Sequence, residues 1–224
     1  MNVPALFGLA CALLAAPVLL LAVRRFGGNA LALLPRLALW AIAAACLWIA
    51  MSQVPDWAGA LGLRLPRWST LASALLAVVC TLAAWPLLQG LQTLTGGQAT
   101  SETARFKELA ALPVGYRAFL VVTAGVTEEC LYRGYGIGVG ATLLGGTLPA
   151  ALVSLAIFTI AHWSWGIAHL ASVLWAGVVL ALLFVSTHDL FACMAAHTLI
   201  DAVGLLLAPM MIARRVARGA GSTP

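Results

Sequence analysis

The sequence predicts an all-α protein, a polytopic bundle of about seven (six to eight) transmembrane helices. Of the 224 residues, 63% are hydrophobic and only 8% are charged, and the mean hydropathy is +1.03. Soluble domains contain about 25% charged and about 45–50% apolar residues, so this is the composition of an integral membrane protein. Apolar runs of about 20 residues, each long enough to cross a bilayer, recur between short polar turns.

The apolar runs fix the approximate positions of the helices. They lie near residues 4–23, 31–51, 69–90, 117–138, 148–166, 168–186 and 189–212. Arg24 and Arg25 end the first span, and Pro149 suits the start of the fifth, because proline is favoured in the first turn of a helix. No basic region precedes the first apolar run, so we interpret it as a retained span rather than a signal peptide. We expect one membrane domain over residues 1–224.

The longest polar stretch, residues 92–116, separates the third span from the fourth. Within it, Phe106, Leu109, Ala110 and Leu112 can share one helix face, which is typical of an amphipathic helix at a membrane surface.

Basic residues sort onto one side of the predicted bundle. With seven spans, one side collects Arg24, Arg25, Arg105, Lys107, Arg117, Arg214, Arg215 and Arg218, and the other has Arg64 and Arg67. Because Lys and Arg are enriched in cytoplasmic loops, the N-terminus is expected outside and the C-terminus in the cytoplasm. This topology accounts for the net charge of +5 without a nucleic-acid partner.

Three charged residues interrupt the fourth span. Glu128, Glu129 and Arg133 lie within six residues in the run TEECLYR, and each costs about 2.5–3.5 kcal/mol at the centre of an inserting helix. Glu129 and Arg133 are four residues apart and can form an ion pair. Glu128 points roughly 100° away around the helix and has no cation near it in sequence. The two carboxylates are therefore expected to have different roles.

Two later spans add imidazoles. The fifth carries Phe158 and His162, and the seventh carries His197 and Asp201, which share a helix face. A glutamate beside a histidine can activate water for attack on a peptide carbonyl, and a second polar pair can stabilise the oxyanion. Glu128, His162 and His197 are equally a possible zinc set, since a catalytic zinc takes three protein ligands and a water. The structural alternatives are that Glu129 and Arg133 form an ion pair that only stabilises the helices, and that the histidines only bind the backbone or a neighbouring helix.

The three motifs together resemble a known family. EECLYR, FTIAH and HTLID, in this order on separate spans, are similar to the motifs of the CAAX proteases and bacteriocin-processing enzymes, the CPBP family of intramembrane endopeptidases. The resemblance covers residues 117–205, which we take as the catalytic core. It implies that Glu128 and His162 activate water and that His197 and Asp201 hold the oxyanion. Glu129, Arg133 and Phe158 would be supporting residues.

The resemblance leaves the mechanism open between a metal and direct action of the glutamate. We expect a mechanism without a cofactor, with zinc as the alternative. The third motif often ends in asparagine, whose amide donates a hydrogen bond. Asp201 donates a hydrogen bond only when it is protonated, so it either donates in that form or orients His197. A carboxylate here also suits a metal-ligand role better than asparagine would.

The implied partners are the lipid bilayer and a membrane-anchored or lipidated protein or peptide substrate. The composition suits a bacterial inner-membrane protein, which favours peptide or sorting-signal precursors over prenylated CAAX proteins. The sequence does not indicate the oligomeric state. A proton-coupled transporter or a non-catalytic scaffold is the alternative from a different functional class, although no internal repeat is evident.

Overall fold

A computed structural model of the chain describes residues 2–29, 31–94 and 107–207. The helices within these residues are α1 (Val3–Arg25), α2 (Leu33–Gln53), α3 (Trp57–Ala60), α4 (Trp68–Ala83), α5 (Trp85–Leu94), α6 (residues 114–143), α7 (Thr147–Ala161), α8 (Ile167–Thr187) and α9 (Leu190–Ala202). No strand occurs in this part of the chain. The all-α prediction is confirmed.

Two of these helices contain π-helical turns, in which the backbone bonds from residue i to residue i+5. Helix α6 is continuous through Val114–Thr123, Ala124–Val139 and Gly140–Leu143, and its central part is π-helical. A π-helical turn, Val203–Leu207, extends α9. A 3₁₀ turn, Trp163–Trp165, follows α7.

Six described helical segments are long and apolar enough to cross a membrane. They are Val3–Arg25, Leu33–Gln53, Trp68–Leu88, Thr147–Trp165, His169–Thr187 and Leu190–Leu207. Each coincides within a few residues with a predicted span, except that α9 is described only as far as Leu207. The remaining predicted span, 117–138, lies inside α6, whose charged residues make it less apolar than the others. The chain is therefore a polytopic membrane protein.

Helix α6 is the central helix of the bundle. It packs against α1, α2, α7 and α9, and most of its second half is buried. Glu129 is 0% exposed and Arg133 is 1% exposed. These charged side chains face neighbouring helices rather than lipid, so protein contacts offset the free-energy cost of placing charge in a membrane.

Successive spans run in opposite directions, so the helix ends gather at two ends of the bundle. At one end, the Arg24 guanidinium at the end of α1 lies 4.5 Å from the centre of the Trp163 ring, just after α7. At the other, the His188 ring at the end of α8 donates from Nε2 to the Gly59 carbonyl of α3, at 2.8 Å. We call these the basic end and the opposite end. Which end faces the cytoplasm stays a prediction.

The polar stretch 92–116 is only partly described. Residues 107–110 form one helical turn, and Leu109 is buried at 3% exposure. Phe106 lies outside the described residues, so the interfacial helix stays a prediction. Arg105 and the arginines after residue 207 also lie outside them.

Close contact between α6 and α9 depends on Gly125. A Cβ at this position would collide with Thr198 Oγ1 and would lie 2.9 Å from the Thr198 backbone nitrogen. The absence of a side chain lets the two helices approach closely. This approach brings Glu129, one turn further along α6, beside His197 of α9.

We predict that Gly125→Ala destabilises the protein by about 1–3 kcal/mol, the usual cost of overpacking a close contact. Thermal unfolding in detergent measures the change. The matched control is Gly115→Ala in the same helix, where a Cβ meets nothing within 4 Å and alanine improves helix propensity. Equal melting temperatures for the two variants would contradict the prediction.

Candidate active site

The two adjacent glutamates of α6 occupy different environments, as the sequence predicts. Glu129 is fully buried between α6 and α9, whereas Glu128 is half-buried and lines a cavity. One carboxylate is therefore held inside the protein, and the other faces space that a substrate and water can enter.

Glu129 binds two cationic or potentially cationic groups through one oxygen. Its Oε1 accepts a hydrogen bond from Arg133 Nη1 at 2.8 Å and another from His197 Nδ1 at 2.7 Å. The Arg133 pair is the predicted one. The His197 contact joins residues 68 positions apart, and no pattern in the sequence predicts it. Because the carboxylate accepts, His197 carries its proton on Nδ1, and Nε2 remains for the cavity.

Arg133 is held by three partners. Besides Glu129, its Nη2 donates to the Gly177 carbonyl at 3.2 Å, and its guanidinium lies 4.5 Å from the centre of the Phe158 ring. Buried arginine is well suited to this role because its planar fork offers several donors and stacks on aromatic faces. The arginine thus joins α6 to α8 and α7 while it neutralises Glu129.

Phe158 lies in the middle of this cluster. Its ring contacts Tyr132 edge-on, with centroids 5.2 Å apart, and lies 5.0 Å from the His162 ring and 6.3 Å from the His197 ring. The contacts are those of a packing residue that fixes the spacing of the two imidazoles. This is consistent with the supporting role expected for Phe158.

His162 is the first residue after α7, where it caps the helix. Its Nδ1 lies 2.8 Å from the Phe158 carbonyl oxygen. A carbonyl only accepts, so Nδ1 is the donor and Nε2 of the neutral ring is left as an acceptor. The ring is therefore prepared to accept a hydrogen bond from water.

Asp201 lies near His197 but does not hold it. Its Oδ2 is 3.7 Å from His197 Nε2, which is beyond hydrogen-bond distance. Of the two roles expected for Asp201, orienting the ring falls instead to Glu129, at 2.7 Å from Nδ1. Asp201 remains close enough to act on Nε2 electrostatically or on a group bound beside it.

One cavity of about 630 Å³ collects the predicted catalytic residues. Its wall includes Glu128, His162, His197 and Asp201, together with Phe158. Most of the remaining wall is apolar, from α1, α2, α4, α5, α8 and the end of α9. The cavity reaches Val23 and Leu205, near the ends of α1 and α9, so it occupies the half of the bundle next to the basic end.

Two residues of the cavity wall were not identified from the sequence. Arg36 of α2 lines the cavity and interacts electrostatically with Glu128, although no cation lies near Glu128 in sequence. His169 at the start of α8 also lines it and stacks on Trp165, with ring centroids 4.9 Å apart. An arginine near the end of a span is normally explained by membrane topology, so the sequence does not indicate an interaction with Glu128. The interaction follows from the packing of α2 against α6.

The side chains do not fit the zinc alternative. Among the described residues, no group of three or more His, Cys, Asp or Glu side chains is placed to hold a metal ion. A catalytic zinc needs three converging protein ligands, and the described side chains do not supply such a set.

The comparison with protein families identifies the same region of the chain as the motifs. Residues 110–203 match the family model described as type II CAAX prenyl endopeptidase Rce1-like. This region is similar to the CAAX proteases. The predicted family resemblance is confirmed, and the family points to a protease that acts within the membrane. Neither the curated proteins nor the solved structures include a match to the chain.

The matched region contains every residue that the motifs single out. It runs from just before α6 into α9 and omits the first three spans. Those spans nevertheless form much of the cavity wall, including Arg36 of α2. The part of the chain outside the match therefore contributes to the shape of the cavity.

We predict that Arg133→Met destabilises the protein by about 3–5 kcal/mol, because it leaves the Glu129 carboxylate buried without its cation. The control is Arg117→Met, which removes a buried arginine that donates from Nη1 to the Leu205 carbonyl at 2.8 Å. The loss of a hydrogen bond to a neutral acceptor is expected to cost less. Thermal unfolding in detergent compares the two.

The double variant Glu129→Leu and Arg133→Met sharpens this test. Removing both charges should recover much of the stability lost in Arg133→Met, as replacement of a whole buried ion pair by apolar residues does. A double variant no more stable than Arg133→Met would show that the pair is not coupled.

Proposed function

We propose that the chain is an intramembrane endopeptidase that hydrolyses a peptide bond in a membrane-anchored or lipidated protein or peptide precursor. The observation that carries this proposal is the convergence of Glu128, His162 and His197 on one cavity. The catalytic water is activated by Glu128 and His162. The family match supports the reaction class.

Glu128 is the general base and later the general acid. Water bound between its carboxylate and His162 Nε2 gives one proton to Glu128, and the oxygen attacks the scissile carbonyl carbon. The carbonyl π electrons move onto oxygen as the tetrahedral intermediate forms. Glu128 then returns the proton to the amide nitrogen, the C–N bond breaks, and a carboxylic acid and an amine leave.

His197 is placed to stabilise the oxyanion. Its Nδ1 is fixed by Glu129, so a protonated ring would present Nε2–H to the negative oxygen. Asp201, 3.7 Å from this nitrogen, either favours the protonated ring when ionised or donates to the oxyanion when protonated.

Glu129 and Arg133 are positioning residues in this mechanism. The carboxylate fixes the ring orientation of His197 and stabilises its positive charge, as an orienting aspartate does in a catalytic triad. Arg133 keeps Glu129 ionised and in place. Neither residue lines the cavity, so neither touches the substrate.

The substrate is expected to enter from the basic end, because the cavity lies in that half of the bundle. With the basic end in the cytoplasm, the scissile bond would lie at or below the cytoplasmic surface of a bacterial inner membrane. The apolar wall suits a precursor that carries a hydrophobic anchor next to the cleavage site. This favours a peptide or sorting-signal precursor as the substrate.

We predict that Glu128→Gln lowers peptide hydrolysis by about 10²–10⁴-fold, the usual contribution of a general base, without changing the melting temperature. The change keeps the side-chain shape but removes the proton acceptor. Cleavage of a membrane-anchored precursor in proteoliposomes is the measurement. Glu108→Gln, the same change at an exposed residue, should leave the rate unaltered.

Normal turnover by Glu128→Gln would remove the proposed base. If the wild-type protein cleaves no precursor but catalyses proton-dependent solute flux in the same proteoliposomes, the transporter alternative would replace the protease.

Metal analysis decides the zinc alternative. We expect protein that has been treated with a chelator, and that contains no stoichiometric zinc by mass spectrometry, to retain full activity. Activity that is lost with the metal and restored by zinc alone would overturn the metal-free mechanism while leaving the reaction class intact.

A further inference from the structure

A second pocket lies at the opposite end of the bundle, away from the catalytic cavity. Its volume is about 100 Å³, which corresponds to roughly three water molecules at about 30 Å³ each. The lining groups are mostly polar or charged and include Arg64, Arg67, Ser69, Ser73 and Asp189. Neither the proposed protease mechanism nor the family match, which begins at residue 110, uses the two arginines.

The arginines are not explained by topology. In the described part of the chain, they are the only Lys or Arg residues at the opposite end, and both are exposed. With the basic end in the cytoplasm, as the sequence predicts, cations at the opposite end run against the charge bias of membrane proteins. A local anionic partner would account for two arginines facing one pocket.

Asp189 is not that partner, because both of its oxygens are used elsewhere. Oδ2 accepts a hydrogen bond from Thr70 Oγ1 at 2.6 Å, and Oδ1 accepts from the Ala192 backbone N–H at 3.0 Å. The carboxylate caps α9 and ties it to α4. No ion pair between Asp189 and either arginine occurs in the described structure, so the guanidinium groups are left for a ligand.

The surroundings of the pocket distinguish a lipid from a soluble anion. Leu65 and Trp68 flank Arg67 and are 86% and 87% exposed, and tryptophan is enriched where a membrane protein meets the headgroup region. The pocket also lies at the start of α4, a helix of 16 residues whose N-terminus adds partial positive charge. A ligand here would meet cations in the pocket and apolar side chains beside it.

We propose that this pocket binds the phosphate group of a phospholipid in the leaflet at the opposite end. Arg64 and Arg67 donate hydrogen bonds to the phosphate oxygens, and the acyl chains run past Leu65 and Trp68. Arginine suits this ligand because its planar fork matches phosphate oxygens. The site is separate from the peptidase chemistry and does not depend on it.

Native mass spectrometry of the purified full chain with added phosphatidylglycerol tests the proposal. The double variant Arg64→Gln and Arg67→Gln should lower the bound lipid about tenfold or more, since basic residues each contribute to binding anionic lipid. Ser73→Leu keeps both arginines but fills the pocket, and it should lower binding as well. The matched control, Arg24→Gln with Arg25→Gln, removes the same charge from the basic end and should retain the lipid.

The other outcomes overturn the proposal. Equal lipid binding by all variants would show that the pocket holds no phospholipid. Loss in the arginine variant but not in Ser73→Leu would indicate diffuse attraction rather than a site. Displacement of the lipid by excess inorganic phosphate would assign the pocket to a soluble anion. Melting temperatures of each variant confirm that the compared proteins are folded.

Discussion

The arrangement of the site depends on one buried carboxylate. Glu129 has no exposed surface, and its Oε1 joins Arg133 and His197 at 2.8 and 2.7 Å. A carboxylate in this position is stable only while its cation is present. The ion pair therefore makes it possible to bury the acceptor that fixes His197. Through Arg133, the same carboxylate is connected to Gly177 of α8 and the ring of Phe158.

Helices α6 and α7 place the side chains of Glu128 and His162 at the wall of the cavity. Glu128 and Glu129 are neighbours in sequence, yet they lie on different faces of α6, so that one lines the cavity and the other contacts α9. His162 is positioned by the end of α7, because it follows the last helical residue and its ring donates a hydrogen bond to the Phe158 carbonyl in the last turn. Each of the two cavity histidines thus has a fixed partner for its Nδ1, the Phe158 carbonyl for His162 and Glu129 for His197.

Much of this could be predicted from local sequence. Apolar run lengths gave the six apolar spans within a few residues, and the four-residue spacing gave the pair of Glu129 with Arg133. The three motifs gave the residues that gather around the cavity. What could not be predicted depends on tertiary packing. The contact of Glu129 with His197 and the approach of Arg36 to Glu128 each require a particular placement of helices distant in sequence, and no periodicity specifies them. The π-helical turns of α6 likewise have no pattern that separates them from an α-helix.

The position of the cavity has a consequence for the membrane itself. The cavity reaches only the half of the bundle near the basic end, while Tyr135, Ile137 and Val139, further along α6, are each 1% exposed. Hydrolysis needs water at mid-depth, and a continuous aqueous path would dissipate ion gradients. For the proposed peptidase, a cavity closed at this tightly packed end would admit water from one side of the membrane only and would leave the permeability barrier intact.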